Sequence, residues 1–131
     1  MQLFEAGVVS VLVYGSEVWT LDTELQNSLT AWCARCMTHI TGRSIEHEYK
    51  SPTFPLVLKV LKRRFKWLGH QLRRTDSLVQ QALLRLAQNQ LNGEYKHGSI
   101  LTEAPEFDSV EYLVELAENR QLWNGLSNKI C

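Results

Sequence analysis

Basic side chains recur at helical spacing between Pro55 and Arg74, and the chemistry they offer is the binding of anions. At 100° per residue they fall within about a third of a turn of one another, so a helix would present them together. Ammonium and guanidinium groups bind phosphate and carboxylate oxygens, which suits such a face to a polyanion. The alternative is an ordinary solvated face, which is what most runs of charge are. The residues of this basic strip are Lys59, Lys62, Arg63, Lys66, His70, Arg73 and Arg74.

Trp67 and His70 add two further kinds of group to the same helix. Trp67 lies at the border of the basic strip, where its ring could pack against a sugar or an unpaired base. His70 could donate a hydrogen bond to a phosphate; the alternative, which the sequence slightly favours, is a surface histidine packed against Trp67. On the opposite side, apolar residues with the same period predict a buried face. They are Val57, Leu61, Phe65, Leu68 and Leu72.

A second group with possible chemistry is Cys33-x-x-Cys36-x-x-His39, which would lie on one side of a helix. A structural zinc site needs four ligands, and the fourth would have to be His47 or another distant group. Cys36 also belongs to an apolar stripe, and free cysteine is commonly a core residue. A core cysteine is therefore favoured over a metal ligand and over a redox thiol.

No arrangement of nucleophile and base marks an active site in this sequence. The motifs G-x-S-x-G, G-x-x-x-x-G-K and G-x-G-x-x-G are absent. The acidic residues lie on no recognisable framework for a catalytic Mg²⁺, and the run from Glu103 to Glu111 indicates a solvated face. We therefore predict no catalytic residue, no metal ligand and no cofactor, in a protein that is not an enzyme.

Two helices are predicted to carry these groups. The cysteines lie on a helix over 23–41, with Thr23 and Gln26 in a capping-box pattern at its start and Gly42 at its end. The basic helix is predicted to begin near Pro55, because a proline disfavours the helical conformation of the residue before it. The apolar stripe of the 23–41 helix is Leu25, Leu29, Trp32, Cys36 and Ile40.

The remaining elements complete a fold without credible strands. A helix over 77–91 has its own capping box in Ser77 and Gln80, and a last helix over 109–124 is capped by Asp108. Residues 2–20 could form a strand or a buried helix, and a helix is favoured because no other segment pairs convincingly with them. The sequence thus predicts an all-α fold, a small helical bundle of about five helices, with a loop or short extended arm before the last helix.

Composition limits the functions that are compatible with the chain. Its 131 residues make one domain's worth of chain, with 44% hydrophobic and 21% charged residues and no net charge. Residues 43–74 nevertheless hold nine Lys and Arg against two Glu. We therefore expect a local basic patch, and no attraction of the whole protein to nucleic acid.

The cysteines and the N-terminal residues bear on the compartment. Three cysteines do not make a disulfide framework, which favours a reducing compartment. No Lys or Arg precedes Arg35, so the basic region of a signal peptide is absent, and the apolar run 8–14 is too short to span a bilayer. An intracellular location, nuclear or cytoplasmic and not secreted, is expected.

Four blocks of the sequence, in the same order, resemble the C-terminal region of reverse transcriptases from LINE-type (non-LTR) retrotransposons. Residues 51–74, SPTFPLVLKVLKRRFKWLGHQLRR, are similar to the family's PTF-D-LV and RR-x-x-W-[LV]-GH-x-LR segments. The other three blocks are SVLVYGSEVWTL (10–21), RCMTHITGRS (35–44) and GSILTEAPEFDSVEYLVELAENRQLW (98–123). Pro55 and Glu103 stand where the family often has Asp, and neither position belongs to the basic strip.

The resemblance implies a division of the chain and a role for each part. Residues 1–91 would form a thumb-like helical bundle, 92–108 a connecting loop, and 109–131 a C-terminal helix packed on the bundle. In the family, the polymerase palm with its [FY]-A-D-D turn and the endonuclease domain lie upstream, and neither is in these 131 residues. The resemblance implies a non-catalytic fragment of an RNA-directed DNA polymerase, with Mg²⁺ needed only in the parent enzyme.

The implied partners are an RNA–DNA hybrid or another nucleic acid duplex, bound through its backbone, and the missing palm domain. No membrane and no small-molecule substrate are expected. The basic strip together with Trp67 would hold the template–primer duplex as it leaves the palm. The alternatives are a helical protein-interaction module that docks an acidic partner, an inactive relic of a decayed element, and a helix-turn-helix protein with 55–74 as recognition helix.

Overall fold

Helices make up all the regular secondary structure that the computed structural model describes, in residues 2–43, 55–94, 101 and 104–129. The prediction of an all-α fold is confirmed. In chain order the elements are α1 (Gln2–Phe4), a π-helix (Glu5–Val9), α2 (Ser10–Leu12), a 3-10 turn (Ser16–Val18), α3 (Thr23–Thr41), α4 (Pro55–Arg73), α5 (Leu78–Leu91), α6 (Val110–Glu118) and α7 (Arg120–Ser127).

The N-terminal segment, residues 2–12, is one continuous helical run. Helix α1, the π-helix and α2 follow each other without a break, so the helix is confirmed for these residues and the alternative of a strand is excluded. Gly15 then turns the chain with a φ of +75°, a left-handed conformation that glycine adopts without strain. If residues 2–12 are counted as one helix, the described residues contain six helices, whereas the sequence predicted about five.

The additional helix arises because the predicted helix over 109–124 is broken at Asn119. This residue has φ −80° and ψ 92°, outside the helical region, and its side-chain Oδ1 accepts a hydrogen bond from the Leu122 amide at 3.1 Å. Asparagine favours this position because its short side chain satisfies a free amide at a helix start. Helix α6 is likewise capped by Ser109, which accepts from the Tyr112 amide, rather than by Asp108.

The predicted ends of α3, α4 and α5 agree with the structure to within a residue, whereas the helix favoured over 2–20 ends at Leu12, before the turn at Gly15. Ser77 accepts a hydrogen bond from the Gln80 amide at 3.0 Å, as its capping box predicted. Gly42 ends α3 in the left-handed conformation with φ +67°. The start of α3 differs, because Asp22, and not Thr23, caps it by accepting from the Leu25 amide at 2.8 Å.

Helix α4 joins two clusters of buried apolar side chains. Its first half packs with α3 and the N-terminal segment, and its second half packs with α5, α6 and α7. The first core cluster is Val9, Val13, Leu21, Leu29, Cys33, Met37, Leu56 and Val60. The second core cluster is Phe65, Leu68, Leu72, Leu83, Ala87, Leu101, Leu113, Ala117 and Trp123.

The buried side of α4 is wider than the predicted stripe. Four of the five stripe residues are buried as predicted, and Leu61 is partly buried. Arg64 and Gln71 are buried as well, because the 3-10 turn and four helices surround α4. On α3 the stripe is rotated from the prediction: Cys33 is buried in place of Cys36, and Ile40 is 53% exposed.

The side chain of Trp123 in α7 packs closely against Gly69 in α4. The indole of Trp123 stacks on the Phe65 ring with a centroid distance of 4.4 Å, and its Nε1–H donates to the Phe65 carbonyl at 3.0 Å. A Cβ atom at Gly69 would lie 2.6 Å from Cδ1 and Cε2 of this indole, well inside van der Waals contact. Glycine is therefore required at this position in α4.

We predict that Gly69→Ala lowers the free energy of unfolding by about 1–3 kcal/mol, because the added methyl displaces the Trp123 ring. The matched control is Gly125→Ala, another helical glycine, whose Cβ would meet nothing within 4 Å. Alanine is the better helix former, so this control should gain up to about 1 kcal/mol. Urea unfolding followed by circular dichroism measures both.

A double-mutant cycle isolates the contact. In a Trp123→Leu background the indole is gone, so Gly69→Ala should become neutral or stabilising there. If Gly69→Ala lowers the free energy of unfolding by the same amount in that background, the indole is not the group that excludes the methyl group.

Candidate nucleic-acid interface

The basic strip lies on the narrow exposed side of α4. Lys59, Lys66, His70 and Arg74 are exposed, and the three other residues of the strip are partly buried. Neighbouring elements pack against the rest of the helix, which leaves the strip as its accessible side. The positions predicted from the helical period are thus brought together on one surface.

Two cations in the first half of the strip pair with acidic residues of the N-terminal segment and the 3-10 turn. Lys59 Nζ lies 3.2 Å from Glu5 Oε1, with both side chains well exposed. Arg63 donates from Nε and Nη2 to one oxygen of Glu17, at 3.2 and 3.0 Å. The Glu17 side chain is only 19% exposed, so this pair is better shielded from solvent than the first. These carboxylates offset part of the positive charge near the start of α4.

Arg73, at the end of α4, connects this helix to α6 through a hydrogen bond. Its Nη1 donates to the Ala117 carbonyl of α6 at 2.8 Å, and its Nε is buried. Burial lowers the pKa of the Arg73 guanidinium, and the positive charge of nearby Arg120 lowers it further. The side chain is therefore held in a fixed position, with part of its hydrogen-bonding capacity already used.

The remaining cationic groups of the strip are available to a ligand. No hydrogen bond or ion pair joins the side chain of Lys62, Lys66, His70 or Arg74 to another residue in the described ranges. Lys62, Lys66 and His70 are four residues apart, so each lies about 6 Å further along the helix axis than the one before. Lys62, Lys66 and Arg74 are thus cations without a paired carboxylate among the described residues, and His70 adds a ring that can donate a hydrogen bond.

Trp67 and Arg64 also lie on α4, and both are less exposed than an aromatic ligand contact or a surface arginine would be. Trp67 is partly buried and packs against the second core cluster, so stacking on a base stays a prediction. Arg64 is fully buried on the side of α4 away from the strip. The helical period puts Arg64 outside the basic strip, whereas its charge alone would indicate an exposed side chain.

The Cys33, Cys36 and His39 group does not converge in the structure. Cys33 is buried in the first core cluster, Cys36 is partly buried and His39 is exposed. Across the ranges that the structure describes, no three His, Cys, Asp or Glu residues are grouped so as to hold a metal ion. His47 and Glu103 lie outside those ranges.

Comparisons with known proteins give no match: no protein-family model, no curated protein and no solved structure is significantly similar to the chain. The resemblance to LINE-type reverse transcriptases therefore rests on the four sequence blocks. No helix in the described part of the chain combines the length and apolar character needed to cross a bilayer.

We predict that iodoacetamide at pH 8 modifies Cys36 faster than Cys33 in the folded protein. Burial raises the pKa of the Cys33 thiol, Cys36 adds to this rise and Lys59 opposes it. A raised pKa leaves less of the reactive thiolate at a given pH. Peptide mapping by mass spectrometry after short exposures measures the two rates, with urea-unfolded protein as control. Equal rates in the folded protein would contradict the burial of Cys33.

Proposed function

We propose that the chain is a non-catalytic, nucleic-acid-binding piece of a LINE-type reverse transcriptase, corresponding to its thumb and post-thumb region. In the parent RNA-directed DNA polymerase it would hold the template–primer duplex through the basic strip. The observation that supports this role most directly is that the exposed side of the central helix is the side that carries the cations. The four sequence blocks support the choice of family.

The strip suits the backbone of a duplex and not its base edges. From Lys59 to Arg74 it extends about 22 Å, which spans about six nucleotides of one strand. Helix α4 is packed against neighbouring elements over most of its circumference, so it offers a rigid row of charges on the protein surface. Contacts of this kind are independent of nucleic acid sequence and depend strongly on salt.

The ion pairs reduce the number of phosphate contacts expected of the strip. Lys59 and Arg63 already hold carboxylates, and Arg73 holds a carbonyl oxygen. Three to four contacts then remain, from Lys62, Lys66, His70 and Arg74. Affinity for a duplex should fall about 40- to 150-fold between 50 and 200 mM salt.

A second candidate function is the docking of an acidic protein partner. It is favoured by one observation: the strip already binds carboxylates, those of Glu5 and Glu17. A protein partner would present such groups in place of phosphates. Competition distinguishes the two functions. If the duplex is the preferred ligand, an acidic polypeptide should displace an RNA–DNA hybrid from the strip only when it is in large excess.

The proposal is tested by titrating the purified chain against a labelled RNA–DNA hybrid at about 50 and 200 mM salt. Replacing Lys62 and Lys66 together by glutamine removes two contacts, so affinity at 50 mM should fall on the order of a hundredfold and the salt slope by about 1.8. Both residues lie on the strip without ion pairs to described residues, so the fold should be retained.

The matched control replaces Arg35 and Arg85 together by glutamine, which removes the same charge. Both are exposed, on the sides of α3 and α5 that face away from the buried residues of those helices. We expect this control to bind within about threefold of the unmodified chain. Equal weakening by the two double variants, or no binding at 50 mM by a chain that circular dichroism shows to be helical, would refute the proposal.

A further inference from the structure

We propose that Arg120, the first residue of α7, is an additional phosphate contact that continues the basic strip beyond the end of α4. A bound duplex would then cross the junction between α4 and α7 instead of contacting α4 alone. This inference rests on the proposed function and adds to it a residue from a part of the chain that is acidic: residues 75–131 hold four Lys and Arg against eight Asp and Glu.

The fold places Arg120 beside the end of the strip. The bond from Arg73 Nη1 to the Ala117 carbonyl joins the last turn of α4 to the last turn of α6. Arg120 follows that carbonyl by three residues, after the chain turns at Asn119. Arg120 is the first residue after this break, which the sequence pattern did not predict, and so it begins α7 close to the end of α4.

The Arg120 side chain is available to a ligand at this junction. It is exposed, and within the described ranges it takes part in no ion pair. Arg73 is held nearby by its bond to Ala117, three residues before Arg120, and among the described residues no acidic group pairs with either arginine.

The electrostatics of the junction favour an anion. The charge of Arg120 is close enough to Arg73 to help lower the pKa of that guanidinium, after the larger effect of burial. Two like charges held close together repel each other, and an anion placed beside both relieves the repulsion. A phosphate of a bound backbone is an anion of this kind, and one placed there would lie beside the last turn of α4, next to the basic strip.

The test uses Arg120→Gln in the full chain with the same labelled RNA–DNA hybrid. Loss of one phosphate contact should weaken binding about 15-fold at 50 mM salt and about fourfold at 200 mM, with the salt slope reduced by about 0.9. Arg120→Lys keeps the charge and should bind within about threefold of the unmodified chain. Arg85→Gln is the matched control, and it should change neither the affinity nor the slope.

The outcomes separate this inference from the function on which it rests. If the unmodified chain binds and the Lys62 and Lys66 double variant weakens it, but Arg120→Gln behaves as Arg85→Gln does, the extension across α7 is wrong and the proposed function stands. If Arg120→Gln lowers the affinity without changing the salt slope, Arg120 makes no phosphate contact and the inference is overturned. Absence of binding by the folded, unmodified chain would overturn both.

Discussion

The contact of Trp123 with Gly69 and Phe65 is the constraint on which the rest of the second half of the molecule depends. The indole stacks on one residue of α4, donates to its carbonyl and occupies the space that any side chain at the glycine would need. It fixes α7 against the middle of α4, and with α7 it fixes the turn at Asn119. The bond from Arg73 to Ala117 makes a second connection near the same end of α4.

This packing determines which side of α4 remains exposed. Helices α5, α6 and α7 pack on the second half of α4, and α3 with the 3-10 turn packs on its first half, so the helix is left with one narrow accessible side. The cations occupy that side because charged groups are costly to bury. Two of them are paired with carboxylates and one with a carbonyl, so the ability to bind a phosphate differs along the strip although the residue types look equivalent.

The features predicted correctly from the sequence are those set by neighbouring residues. The caps at Ser77 and Gly42 depend on residues within one turn, and the exposed face of α4 follows from its helical period. The features that were missed depend on residues far apart. Glu17 and Arg63 are 46 residues apart in the chain, and Phe65 and Trp123 are 58 apart. The full burial of Arg64 and the role of Gly69 follow from the same packing, although the helical period already places Arg64 outside the basic strip.

Nuclear magnetic resonance would test the central claim, that a duplex binds along the exposed side of α4, most directly. Amide chemical shifts of isotopically labelled protein would be followed during addition of an RNA–DNA hybrid. The account predicts that the largest changes cluster at Lys62, Lys66, His70 and Arg74 and around Arg120, with little change near Arg35 and Arg85. The largest changes in the N-terminal segment or on the outer side of α3, with the strip unaffected, would contradict it.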